Sequence, residues 1–119
     1  MVQSRKNKAM IDWNRVRDLR DEIGVDGLQE VIEMFLEEAD TEIAKLQSDT
    51  TLDALETRLH ALKGIALNLG FARFSENCQT GETAAADGAA EQIDIAEILA
   101  SYDSSKAVFL EGLKGLSAP

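Results

Sequence analysis

The sequence predicts an all-α protein, an antiparallel four-helix bundle with a short extra N-terminal helix. Three observations predict it. Apolar residues recur at helical spacing through nearly the whole chain. There is one proline, and aromatic residues make up only 5% of the sequence, a composition that favours helix over sheet. The joins between periodic segments are short, so successive helices should run antiparallel, side by side.

The elements follow in order. Asp12 is placed to cap a first short helix carrying Trp13, Val16, Leu19 and Ile23 on one side, and Gly24 ends it. From about Gly27 to Gln47 the apolar positions are Leu28, Val31, Ile32, Phe35, Leu36, Ala39, Ile43 and Leu46, with Glu30, Glu33, Glu37 and Glu38 facing away. S-D-T-T interrupts the pattern, and Thr50 with Asp53 resembles a capping box. A third helix carries Leu52, Leu55, Leu59, Leu62, Ala66 and Leu69 before Gly70. A fourth carries Phe71, Phe74, Cys78 and Ala85 and ends near Asp87-Gly88. A fifth, from about Gln92, carries Ile95, Ile98, Leu99 and Tyr102, then Val108, Phe109 and Leu113 beyond a weak Ser104-Ser105 patch.

Composition limits the function classes. Residues 1–10 read as a flexible, basic N-terminal tail, and residues 11–119 as a single helical-bundle domain without internal repeats or linkers. A net charge of −10 disfavours nucleic acid and anionic lipid as partners and favours another protein. A lone cysteine, Cys78, forms no internal disulfide, which fits a reducing, cytoplasmic location; its spacing places it in the core. The N-terminal residues lack the apolar region of a secretory signal, and no run of about 18 apolar residues is present to cross a bilayer.

The chemistry concentrates in L-H-A-L-K-G-I-A-L-N-L-G-F, residues 59–71, which holds the only histidine of the chain. At roughly 100° per residue, His60 stands at the edge of the leucine stripe, facing solvent. Lys63, Gly64 and Leu67 follow at i+3, i+4 and i+7 on the same strip. A glycine inside a helix costs about 1 kcal/mol against alanine, so Gly64 needs a reason. Clearance supplies one: without a side chain there, another molecule can approach the ring. Leu67 then offers an apolar contact on the same landing surface.

A neutral imidazole is a good nucleophile and needs no activating base. The chain has no nucleophile elbow, no zinc-ligand spacing and no glycine-rich phosphate loop, so neither a hydrolase, a metal site nor a nucleotide-dependent kinase is indicated. The economical use is a covalent carrier, in which the ring takes a phosphoryl group and Lys63 offsets its charge. The bland alternatives are a surface histidine and a solvated lysine on a non-covalent helical adaptor or an inhibitor of a signalling kinase.

H-A-L-K-G-I-A-L-N-L-G resembles the histidine phosphotransfer (HPt) domains of multistep two-component phosphorelays. The likeness extends from about Asp12 to the C-terminus, through F-L-E-E in the preceding helix and F-A-R-F-S-E-N-C-Q-T-G-E in the following one. The resemblance implies a helical bundle in which His60 is phosphorylated, with Lys63 and Asn68 neighbouring the phosphoryl group and Gly64 and Leu67 forming the docking surface. It implies a phosphoryl carrier without kinase activity, acting as a monomer. The implied partners are response-regulator receiver domains and a hybrid sensor kinase. No cofactor is expected on this chain; Mg2+ is expected on the partner receiver. The sequence departs from many relatives at Ile65-Ala66, where they carry small hydroxyl residues, and at Gly81, where an apolar residue is expected.

Overall fold

A computed structural model of the protein describes residues 10–117. All regular structure among them is helical, and the helices pack as the expected bundle. The expected tail lies outside the described residues except for Met10, which packs against the core.

Helix α1 spans Trp13–Ser48 and is broken at Gly24, whose φ of 80° and ψ of 166° are foreign to a helix and open only to glycine. The Asp12 carboxylate accepts the Arg15 N–H at 3.3 Å, capping the first turn. The short N-terminal helix and the long one therefore meet at one residue instead of being separated by a loop. α2 spans Leu52–Leu69 and α3 spans Ala72–Ala86; after a 3₁₀ turn at Ala90–Gln92, α4 spans Ile95–Ser117. The predicted capping box at Thr50 and Asp53 does not form. Thr51 occupies the N-cap of α2 without a side-chain cap bond, and Asp49 accepts from both its N–H and its hydroxyl. With Thr51 turned onto Asp49 and serving as the N-cap, the helix begins one residue later than the Thr50–Asp53 register requires.

Gly70 ends α2 in the left-handed conformation, and its carbonyl accepts the Asp12 N–H at 2.6 Å. That bond fastens the start of α1 to the α2–α3 corner. The core is one cluster built from the apolar stripes of all four helices. Its aromatic part joins the Phe71 and Phe109 rings, 5.1 Å apart, with Phe74 and Tyr102, 5.3 Å apart. Trp13 stacks on Phe109, joining the start of α1 to α4.

The supposedly weak Ser104-Ser105 patch does not interrupt α4, and Ser105 is fully buried. Nor is the acid run 37–42 uniformly solvated. Asp40 accepts the Tyr102 hydroxyl at 2.6 Å and pairs with Lys106 at 3.1 Å, linking α1 to α4. Burial, followed by the neighbouring Asp40, pushes the Tyr102 phenol far above its ordinary value, so it stays a donor. Glu42 pairs with Arg58 across α1 and α2 at 3.2 Å.

Candidate functional site

His60 projects from the middle of α2 between Leu59 and Leu62, both fully buried, and its own side chain is 68% exposed. The ring is nevertheless held. Its Nδ1 lies 2.8 Å from Glu82 Oε2 on α3. The other carboxylate oxygen, Oε1, lies 3.0 Å from Lys63 Nζ, so one carboxylate joins imidazole and ammonium. Lys63 also donates to Gln79 Oε1 at 2.8 Å, and the Gln79 amide donates to Thr83 Oγ1 at 3.0 Å. The five polar side chains, His60, Glu82, Lys63, Gln79 and Thr83, form a continuous chain along the α2–α3 seam.

Burial pushes the Glu82 carboxyl upward, but the hydrogen bonds from Lys63 and His60 outweigh it and hold the group below its ordinary range. Glu82 is thus an anion at neutral pH and can only accept. The proton in the His60–Glu82 bond accordingly belongs to Nδ1, which leaves the lone pair on Nε2. Nε2 has no hydrogen-bond partner among the described residues, on a side chain that is largely exposed. Cys78, one turn before Glu82, is a different case. Burial, then the Glu82 charge, push its thiol up to about 12 against the opposing effect of Lys63, so it is an inert core residue.

Gly81 explains how Glu82 reaches the ring. It is buried, and a Cβ there would sit 2.8 Å from Leu59 Cδ1 and 3.3 Å from Ile98 Cδ1. The missing side chain lets α3 approach α2 beside Leu59, and the residues next in sequence, Glu82 and His60, consequently meet. The apolar residue expected at this position would clash with Leu59.

Gly64 behaves in the opposite way. A Cβ built there meets nothing within 4 Å. No internal contact demands the glycine, and the space one turn above His60 opens to solvent. Leu67 is 57% exposed on the same strip.

Lys63 is not the solvated lysine of the bland alternative: its side chain is only 23% exposed and doubly engaged. One sequence expectation requires correction. Asn68 is not beside the imidazole. It lies eight residues, about 12 Å, along the helix from His60, and Arg15 binds it through both its carbonyl, at 3.2 Å, and its Oδ1, at 3.3 Å. Asn68 helps fasten α1 to α2. Glu82 and Gln79 were missed by the sequence reading; their only signal was a polar i, i+3 strip beside the Cys78–Ala85 stripe.

Among the described residues, a helical bundle thus holds one imidazole by Nδ1, leaves Nε2 open and clears the next helical turn. No cluster of three metal-ligating side chains occurs among the described residues. The family model of the Hpt domain matches residues 30–111, more than half of the chain, and the chain belongs to that family. Hpt domains are phosphocarriers, not kinases, in two-component phosphorelays, where they interact with receiver domains and kinases. No curated protein and no solved structure matches the chain. No helix among the described residues is long and apolar enough to cross a membrane.

Proposed function

We propose that the protein is a phosphorelay intermediary in which His60 accepts a phosphoryl group from a receiver-domain aspartate and passes it to the aspartate of another receiver. The observation that carries this reading is the ring held through Nδ1 by Glu82 with Nε2 exposed beside Gly64. In the accepting step the Nε2 lone pair attacks phosphorus, the P–O bond to the aspartate breaks, and its electrons leave on the carboxylate. The imidazolium so formed keeps its proton on Nδ1, where the Glu82 carboxylate faces it. In the donating step the next carboxylate attacks phosphorus, the P–N bond breaks, and a neutral imidazole leaves because Nδ1 is still protonated. Glu82 never needs to gain or lose a proton in either direction.

Lys63 lies one turn from His60 and offsets the roughly −1.5 to −2 charge that a phosphoryl group brings. Gly64 and Leu67 receive the partner, a receiver domain, whether free or part of a hybrid sensor kinase. The chain itself supplies no kinase activity and holds no cofactor in this scheme; Mg2+ belongs to the receiver.

The test is incubation with a panel of phosphorylated receivers. His60 should take label that survives alkali and is lost in acid, as a phosphoramidate does, and folded His60→Gln protein should take none. Undiminished label on His60→Gln would overturn the assignment. A non-covalent adaptor would bind receivers without acquiring label at all.

A further inference from the structure

Beside His60, on the side away from Glu82, a cleft of about 480 Å³ opens between α1 and α2. Ala61 and Ile65 form its floor, the residues that directly follow His60 and Gly64. Glu37, Glu38, Thr41 and Glu42 form its wall. The polar groups of that wall differ in their engagement. The Thr41 hydroxyl is used by the Glu37 carbonyl at 3.0 Å, and Glu42 is neutralised by Arg58 and Lys45 at 3.2 and 3.6 Å. The carboxylates of Glu37 and Glu38, both exposed, make no ion pair or hydrogen bond among the described residues.

We propose, on the basis of the phosphotransfer reading, that this cleft seats a lysine or arginine of the docking receiver and so selects receivers with a basic docking face. The argument is one of position and charge. Ala61 directly follows His60 and Ile65 directly follows Gly64, so a partner that reaches His60 over Gly64 borders the cleft and closes its mouth. Covering the cleft removes water from Glu37 and Glu38. Left unmatched, two desolvated carboxylates oppose docking; matched by a cation, they favour it. A lysine or arginine meets both requirements, since its aliphatic stem lies on the Ala61–Ile65 floor while its charged head reaches the wall. A receiver with a neutral or acidic face at this point is rejected by the same two groups.

The experiment compares two double variants of equal net charge. Glu37→Lys/Glu38→Lys reverses the cleft, and Asp18→Lys/Glu22→Lys reverses two exposed acids on the short N-terminal arm of α1. Transfer to each is measured from the phosphorylated receiver that labels the wild-type protein fastest, resolving KM and kcat at low and high ionic strength. The cleft variant should raise KM about tenfold or more at low salt, with kcat little changed, and the difference should shrink to about threefold or less at high salt. The arm variant should stay within about twofold of wild type. Equal losses in both variants would reduce the effect to net charge and overturn the proposal, as would an unchanged KM in the cleft variant. Failure of every receiver to label wild-type His60 would instead overturn the phosphotransfer reading on which the proposal rests.

Discussion

Gly64 and Gly81 lie in neighbouring helices, and alanine at the two positions should have opposite effects. At Gly64 the added methyl meets nothing within 4 Å, so only the backbone preference is felt. Helix propensity then favours the Gly64→Ala protein by about 1 kcal/mol. For a domain of this length that corresponds to a rise in Tm of about 4–6 °C. At Gly81 the methyl would lie 2.8 Å from Leu59 Cδ1 inside a packed core. Overpacking of that kind costs about 1–3 kcal/mol, which equals the propensity gain at its lower end and outweighs it over the rest of the range. Gly81→Ala should therefore lower stability by at most about 2 kcal/mol, and Tm with it. It should also push Glu82 away from the ring. A pair of thermal melts followed by circular dichroism reads both signs. Gly64→Gln, with a good helix former, should melt at or above the wild-type temperature, yet slow transfer from phosphorylated receivers by about tenfold or more because its side chain fills the landing site. A destabilised Gly64→Ala protein would refute the claim that nothing inside the molecule needs this glycine. Wild-type transfer by Gly64→Gln would refute the claim that a partner needs it.

Three further expectations follow from the same geometry. Lys63→Ala should lower the transfer rate by about tenfold, and because the Lys63 side chain is only 23% exposed, part of the deficit should persist in a salt titration of transfer rates. Ser105→Ala should be neutral or stabilising in chemical denaturation, since the Ser105 hydroxyl is fully buried without a partner. Glu82 has a folded value below its unfolded one, so its contribution to stability is fully present above about pH 4.5 and is lost as pH falls through the folded value. Urea titrations from pH 7 to pH 3 should therefore show a smaller acid loss for Glu82→Gln than for the wild-type protein.

The fold was legible because each helix buries a stripe that repeats at helical spacing, and periodicity of that kind survives without knowledge of the partner helix. Local competition was less legible. Thr50 and Asp53 have capping-box spacing, but the helix starts one residue later, with Thr51 at the N-cap and bonded to Asp49. The environment of His60 was legible only on its own helix. Lys63, Gly64 and Leu67 follow from position along α2, whereas Glu82 and Gln79 depend on the register of α3 against α2. That register is set by how closely Gly81 approaches Leu59, a contact between residues 22 positions apart. The sequence shows an anomalous glycine there but not which side chain its absence admits. The Asn68 expectation failed for a related reason: the same helix face that carries His60 turns, two turns later, toward Arg15 of α1.

The charge balance of the seam bears on what kind of intermediate phospho-His60 would be. Before phosphorylation Lys63 and Glu82 form an approximately neutral pair, with Gln79 supplying a neutral acceptor to the same ammonium. A phosphoryl group on Nε2 adds about −1.5 to −2 charges, and Lys63 is the cation nearest to hand. It cannot compensate both the phosphoryl group and Glu82 in full. If Lys63 turns toward the phosphoryl oxygens, Glu82 loses one of its two cationic contacts, and its less compensated charge stabilises the protonated ring more strongly. A ring that keeps its Nδ1 proton leaves as neutral imidazole when the P–N bond breaks. On the proposed function the arrangement would favour transfer over storage, because the carboxylate that orients His60 would also keep the phosphorylated ring protonated and ready to donate. Replacing Glu82 by glutamine retains an acceptor for Nδ1–H but removes the charge. On this argument Glu82→Gln should lengthen the lifetime of phospho-His60 and slow its transfer to a receiver, while leaving the site able to accept label. A variant that donated as fast as wild type would show that orientation alone, without the negative charge, is what His60 takes from α3.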